Sequence, residues 1–293
     1  MNIAITGATG FIGRALSARL TAAGHRTTAL SVRETPPAED LRGCDAVVNL
    51  AGEPVAQRWT KAARERIVNS RVQGTRHLVT ALRQQPPQVL VSASAVGYYG
   101  SRGDEILTEN SPPANDFLAE VCVAWEREAH AAEEFGVRVV TPRFGVVLGG
   151  AAGKPGGALK QMLLPFKLGV GGRLGSGRQW TSWIHLDDIV SLIEFAIANP
   201  TLRGPLNATA PNPVTNVEFT RALGHVLHRP AILPVPAAAL KLLFGEMSQV
   251  LLASQRAIPE TAVNAGFSFR YSDVDSALAA ALGSHTSSGA PTA

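Results

Sequence analysis

The sequence predicts an α/β protein: a doubly wound parallel sheet followed by a small C-terminal lobe. Three observations carry that expectation. From Met1 to Gly145, short apolar runs alternate with amphipathic segments at helical spacing, the order that gives parallel strands joined by crossover helices. The first apolar run passes directly into glycines at three-residue spacing and then into a helix-forming segment. Beyond Gly149 the composition shifts to glycine-rich stretches around short apolar helices.

Ile3, Ala4 and Ile5 form the first strand. Gly7, Gly10 and Gly13 follow, with Thr9, Phe11 and Ile12 among them. In such a turn one glycine permits the sharp bend, one lets the backbone approach a pyrophosphate, and one lets the helix pack close to the strand. The helix then carries Ala15, Leu16, Ala18 and Leu20. Its unpaired N–H groups and its dipole favour phosphate. The stretch points to a bound dinucleotide; glycines serving only strand–helix packing are the alternative.

Thr27 to Leu30 is the second strand, and Ser31 and Arg33 stand at its end. A carboxylate there would hydrogen-bond the ribose hydroxyls of NAD. A hydroxyl and a guanidinium suit a 2′-phosphate instead, so NADP(H) is the expected cofactor. A solvated Arg33 is the alternative. Ala46 to Leu50 is the third strand, and the small residues Ala51 and Gly52 leave room for a ligand at its carboxyl end.

Thr60 reads as an N-cap, and Val68, Val72, Thr75, Val79 and Leu82 repeat at helical spacing behind it. Arg71 lies beside that stripe, as either a surface charge or a pocket residue. Val89 to Val91 is the fourth strand. It runs into Ser92, Ala93 and Ser94 and then Gly97-Tyr98-Tyr99-Gly100. Hydroxyls at this strand end are candidates to face a nicotinamide; otherwise the serines form a loop and the tyrosines a lid. Leu118, Val121, Cys122, Trp125, Ala129 and Ala132 mark the next helix, ended by Gly136. Val137 to Thr141 is the fifth strand, leading to Pro142 and Arg143.

Further on, a helix is expected over Ala158 to Leu168. Trp180, Trp183 and His185 precede a helix over Ile189 to Ala198, capped by Asp187 or Asp188. Leu206 to Ala208 reads as a strand, and Thr215 or Asn216 caps a helix reaching Leu227. Ala237 to Phe244 and Met247 to Ala253 read as apolar helices. The expected organisation is a nucleotide domain over 1–150 that also draws on 178–210, mostly a substrate lobe and lid over 151–282, and a disordered tail over 283–293.

Hydrophobic residues make up 45% and charged residues 17%, with a net charge of +4. That balance suits a compact body with much buried sheet and argues against a disordered chain. The basic residues are scattered without interleaved aromatics, so nucleic acid is not an expected partner. Cys44 and Cys122 make neither metal spacing nor a disulfide framework, and His225 and His228 lack a third ligand nearby, so no metal is expected. The first strand begins at the amino end, leaving no room for a signal peptide, and no apolar run is long enough for a membrane span. A cytoplasmic protein acting on a small molecule is expected, with a homodimer compatible with it.

Taken together these residues resemble the extended branch of the short-chain dehydrogenase/reductase superfamily, and within it the epimerase-like subfamily of atypical members. The glycine triplet, Asn49-Leu50-Ala51-Gly52 and Ser92 to Gly100 carry the first resemblance. Ser70-Arg71-Val72, Asn115-Asp116-Phe117-Leu118, Trp125-Glu126, Trp183-Ile184-His185, Asn207 to Pro211 and Gly266-Phe267 carry the second. The resemblance implies a Rossmann fold and NADP(H). The residues expected against the cofactor are Gly7, Thr9, Gly10, Phe11, Ile12, Gly13, Ser31, Arg33, Leu50, Ala51, Gly52, Arg71, Ser92, Ala93 and Arg143.

The chain also departs from that family. Its usual Tyr-x-x-x-Lys pair is missing: Phe117 and Val121 stand at the matching positions. Ser94 matches the family's catalytic serine, and Tyr98 is the phenol offered in place of the missing one. Gln179 is followed by Trp180 and Thr181 where sugar-nucleotide enzymes often place an arginine, which argues against a nucleotide sugar. Tyr99, Trp180, Trp183 and His185 are expected around the substrate, with lobe packing the alternative for the tryptophans and a structural role the alternative for His185. Two functions fit: an NADP-dependent oxidoreductase or epimerase-like enzyme using Ser94 and Tyr98, or an NADPH-binding redox sensor or scaffold without turnover.

Overall fold

The computed structural model describes residues 1–151 and 154–283. The expected disordered tail falls, beyond Gly283, outside the described residues. The first strand β1 (Asn2–Thr6) leads through the glycine turn into α1 (Phe11–Ala22) and β2 (Arg26–Leu30). β3 (Ala46–Asn49), α2 (Lys61–Leu82), β4 (Val89–Ser92), α3 (Phe117–His130) and β5 (Arg138–Phe144) follow. β6 (Val146–Leu148), α4 (Gly157–Lys167), β7 (Trp183–His185), α5 (Leu186–Ala198) and β8 (Gly204–Ala208) come next. The chain continues with α6 (Asn216–Val226), α7 (Ala237–Phe244), a short helix over Ser248–Leu252, and α8 (Val274–Leu282).

The main sheet runs β8-β5-β4-β3-β1-β2, with every pairing parallel and the short strand Ser94–Ala95 added beside β5. Strand order reverses between β1 and β3. That switch point is where open α/β sheets leave a crevice beyond their carboxyl ends. The register aligns Thr6 with Asn49 and Asn49 with Ser92, so three polar side chains end adjacent strands at the crevice floor.

Both sheet faces are covered, as a parallel sheet requires. On one face Ile3, Ile5, Val48 and Val91 pack with Leu16, Leu20, Ile189 and Ile193 of α1 and α5. On the other, Ala4, Val47 and Leu90 pack with Leu78, Leu82 and Ala129 of α2 and α3. A third cluster unites Leu159, Phe166, Trp183, Phe219, Leu223 and Leu278, the core of the lobe.

Local chemistry sets the element ends. The Thr60 hydroxyl accepts from the Ala63 N–H and caps α2, and the Asp116 carboxylate accepts from the Ala119 N–H and caps α3. Thr215 and Glu218 form a reciprocal capping box on α6. Gly136 adopts the left-handed conformation that ends the turn before β5, with φ 86°. The helix expected from Ile189 instead begins at Leu186. Its cap is the His185 ring, which accepts from the Asp187 N–H, and neither Asp187 nor Asp188 caps it. Asp188 is drawn inward and accepts the N–H groups of Arg270 and Tyr271.

Between α7 and α8 the chain returns to the sheet domain. Arg256–Ala257 pairs in parallel with Ile106–Leu107. The Ser254 hydroxyl donates to the Gly103 carbonyl, Gln255 Nε2 to the Val96 carbonyl, and Asn207 Nδ2 to the Ile258 carbonyl. No helix among the described residues is long and apolar enough to cross a membrane.

Candidate functional site

The turn after β1 is built from what the glycines lack. Gly7 holds a positive φ of 66°, and a Cβ there would press on the backbone of Leu50 and Ala51. A Cβ on Gly13 would overlap the Gly7 carbonyl oxygen and the Ala8 Cα. Gly10 is exposed and caps α1 without a side-chain bond. Among the described residues, no acceptor engages the N–H groups of Phe11, Ile12 or Gly13. These donors and the positive end of the α1 dipole make an anion cradle at the switch point. The Phe11 ring packs against Gly156 and Gly157, so the start of α4 lies over this turn.

The crevice floor is a hydrogen-bonded polar row. Thr6 Oγ1 donates to Asn49 Oδ1 at 2.6 Å and accepts from the Leu50 and Ala51 N–H groups at 3.1 Å. Asn49 Nδ2 donates to Thr75 Oγ1 at 2.9 Å and to Ser92 Oγ at 3.0 Å. The Ser92 hydroxyl is thereby held in the floor, and the Ala93 N–H bonds the Asn49 carbonyl.

Arg71 lies part-buried beside Gly52, just past the end of β3. A Cβ on Gly52 would meet its guanidinium at 3.1 Å. Nη1 donates to the Glu53 carbonyl at 2.9 Å, and the group lies 5.1 Å from the Trp125 ring. Burial holds its basicity below the ordinary arginine level. Among the described residues neither Nε nor Nη2 has a hydrogen-bond partner, and no carboxylate pairs with it. At the opposite end of the crevice Ser31 and Arg33 are both exposed. Val32 between them is buried against Gly74, and its carbonyl meets His77 Nδ1 at 3.2 Å.

Behind β4 the structure corrects several expectations. Arg143 does not offer hydrogen bonds to the cofactor crevice. It is 3% exposed, and Glu126 grips it through Nε and Nη2, both at 2.8 Å. Burial alone would lower its basicity, but the bonds and charge of Glu126 more than offset that and hold it above the usual arginine level. Ser94 is 2% exposed and donates its hydroxyl proton to Glu126 Oε1 at 2.6 Å, so that proton is not free to polarise a carbonyl. Tyr99 is fully buried, donates to Asn207 Oδ1 and accepts from Arg143 Nη1, and burial pushes its phenol up to about 12. It is a core residue and does not line a substrate pocket.

Trp183 is likewise fully buried in the lobe core, its indole N–H on the Asn212 carbonyl. Lobe packing accounts for it. His185 is 5% exposed, caps α5 and lies 4.0 Å from the Tyr271 ring. Trp180 is half-buried, donates to Asp104 Oδ1 at 2.8 Å and has the Arg256 guanidinium over its ring. Tyr98 remains half-buried, and among the described residues its hydroxyl has no hydrogen-bond partner. Phe117 stands at the start of α3 with Trp59 edge-on at 5.2 Å and the Arg64 guanidinium 4.1 Å over its face. Arg64 in turn pairs with Glu246 of the lobe at 2.7 Å. Among the described residues no cluster of three or more His, Cys, Asp or Glu side chains could hold a metal.

The family described as the NAD dependent epimerase/dehydratase family matches residues 3–207. The chain belongs to that family. A second match, to a domain of unknown function (DUF1731), covers residues 235–281, which include α7, the returning segment described above and most of α8. The family's sheet and crevice are thus continued by a separately recognised C-terminal piece. The chain is 44% identical to the SDR39U1 homologue, chloroplastic, of Arabidopsis thaliana, covering 96% of this chain and 87% of that one. It is 41% identical to the epimerase family protein YfhF of Bacillus subtilis, covering 95% and 97%. The crystal structure of human SDR39U1 with NADPH superimposes with a TM-score of 0.87 at 34% identity, covering 97% of this chain and 99% of that one.

Proposed function

We propose that this family member binds NADP(H) in the crevice and transfers hydride to or from a small carbonyl or hydroxyl substrate. The observation that carries the reading is the set of free N–H groups at the start of α1, placed at the switch point by Gly7 and Gly13. The cradle fits the group: at Gly13 a side chain would collide with the Gly7 backbone, so glycine lets α1 sit close on β1 with its first amides facing the crevice, and among the described residues two donors of Arg71 lack partners. The NADPH bound in human SDR39U1 supports the choice of cofactor.

In this reading the amides of Phe11, Ile12 and Gly13 receive the pyrophosphate. Ser31 and Arg33 take the 2′-phosphate, and Leu50, Ala51 and Gly52 border the ribose beside Arg71. The bound cofactor supplies the hydride. Tyr98 meets the reacting oxygen with its phenol, because the hydroxyls of Ser94 and Tyr99 are engaged inside the protein. A second reading, NADPH binding without turnover, is favoured by Phe117 and Val121 standing where a phenol and an amine would make the usual relay.

Calorimetry of stripped protein with NADPH and NADH tests the cofactor. NADPH is expected to bind the more tightly, and no heat with either overturns the reading. NADPH fluorescence against a panel of carbonyl compounds separates the two functions. Oxidation that Tyr98→Phe abolishes supports the enzyme; tight NADPH binding with no oxidation across the panel supports the sensor.

A further inference from the structure

The buried polar cluster behind β4 has a geometry that charge neutralisation alone does not require. Glu126 Oε1 accepts from both Ser94 Oγ and Arg143 Nε, and Oε2 accepts from Arg143 Nη2. Arg143 Nη1 donates to Tyr99 Oη at 2.9 Å and to the Glu109 carbonyl at 3.2 Å. The edge of the guanidinium is therefore occupied by protein. What remains is its flat face, and Tyr98 lies on it with its ring centre 3.5 Å from the guanidinium carbon.

We propose that Glu126 is a positioning residue for Tyr98, acting through Arg143. The inference rests on the reading of Tyr98 as the group that meets substrate. A two-point carboxylate–guanidinium fork fixes the tilt of the guanidinium plane, which a single bond would leave free to rotate. A plane fixed at that tilt is the surface on which a ring can stack. Glu126 also places a negative charge at the edge of the cation, so the Tyr98 ring lies on an ion pair and not on a bare guanidinium. Tyr99, Tyr98's neighbour in sequence, meets Arg143 through its hydroxyl, whereas among the described residues the Tyr98 hydroxyl has no hydrogen-bond partner.

Only three tyrosines are present, so each is separately readable. The full chain is labelled with 13C at the ring carbon bearing the hydroxyl, and the Tyr98 signal is assigned with Tyr98→Phe. Its titration is then followed in the parent and in Glu126→Gln, a change that keeps the shape and removes the charge. With the counter-charge gone, the guanidinium favours the phenolate. The Tyr98 titration is expected to move to lower pH by threefold or more in ionisation constant, with the Tyr271 signal unmoved. An unmoved Tyr98 titration in folded Glu126→Gln overturns the proposal and leaves a packing ion pair.

If Glu126→Gln does not fold, Glu126→Asp withdraws the carboxylate by one methylene while keeping the charge. The Tyr98 signal at neutral pH is then expected to shift as the guanidinium tilts, and an unmoved signal overturns the proposal equally. NADPH affinity, measured in parallel, keeps the two ideas separable. A parent protein that fails to bind NADPH refutes the cofactor reading while the Tyr98 titration still reports on Glu126.

Discussion

Gly13 stands against the carbonyl oxygen of Gly7, so close that no side chain fits between them. The contact seats α1 on β1 and leaves the first-turn amides facing the crevice. Gly13→Ala must therefore push the helix away from the strand. Overpacking of this kind costs about 1–3 kcal/mol. The expected outcome is a lowered Tm together with loss of NADPH binding in calorimetry. Unchanged affinity would refute the phosphate placement.

Arg33 is exposed at the end of β2, one residue beyond the buried Val32. If it holds the 2′-phosphate, Arg33→Ala removes a charged hydrogen-bonding partner worth about 1.5–3 kcal/mol, roughly 10- to 100-fold in affinity. The loss is expected for NADPH and not for NADH. Comparing both affinities by titration checks it, and an unchanged ratio shows that Arg33 is only a solvated charge.

His185 predicts an acid-sensitive fold. Burial holds its imidazole below the ordinary histidine value, ahead of the smaller opposing effect of Asp187. The unfolded chain thus takes up this proton first as pH falls. The stabilisation is complete above the unfolded value of about 6.5 and is lost as pH drops below it. Protonation also removes the lone pair that accepts from the Asp187 N–H. Urea unfolding at pH 7.5 and 5.0 should show a larger acid loss in the parent than in His185→Asn, which keeps a capping oxygen.

Arg138 closes the far end of α5. Its Nη1 donates to the Ala196 and Leu202 carbonyls and its Nη2 to the Ile197 carbonyl, at 2.7 to 2.9 Å. Arg138→Met keeps the aliphatic stem and leaves these terminal carbonyls without their donor. A loss of about 2–3 kcal/mol is expected in denaturant unfolding, with NADPH affinity unchanged because the crevice lies at the other end of the sheet.

Much of the cofactor half was legible in the sequence. β1, the glycine turn, Thr60 as a cap and Gly136 as a stop each follow from local backbone chemistry that a few adjacent residues determine. The second half was not. Arg143 looked like a crevice residue because it ends a strand, and nothing nearby in sequence shows that a carboxylate on α3 holds it. Trp125-Glu126 stood out only as a resemblance, although a charged residue beside the apolar face of a helix was a usable signal. Trp183 and Tyr99 were misplaced for a related reason. Large amphipathic aromatics serve cores and pockets alike, and only partners such as Asn207 and Asn212, brought from distant parts of the chain, decide which. His185 as the cap of α5 went unread because a ring nitrogen is an uncommon acceptor there.

The closing segment bears on how this gene could be cut or recombined. Ser254, Gln255, Ala257 and Ile258 are tied to the loop after β4, to Ser182 and to β8 by strand pairing and by hydroxyl and amide bonds. A transcript stopped near residue 235 would keep the glycine turn and Arg71 yet strip Ser182 of both its carbonyl acceptors and Asn207 of the Ile258 carbonyl, and uncover Tyr99. Such a product is expected to aggregate or be degraded. The two recognised pieces are therefore expected to fold as one unit, and chimeras between relatives are expected to fold best when both pieces come from the same parent.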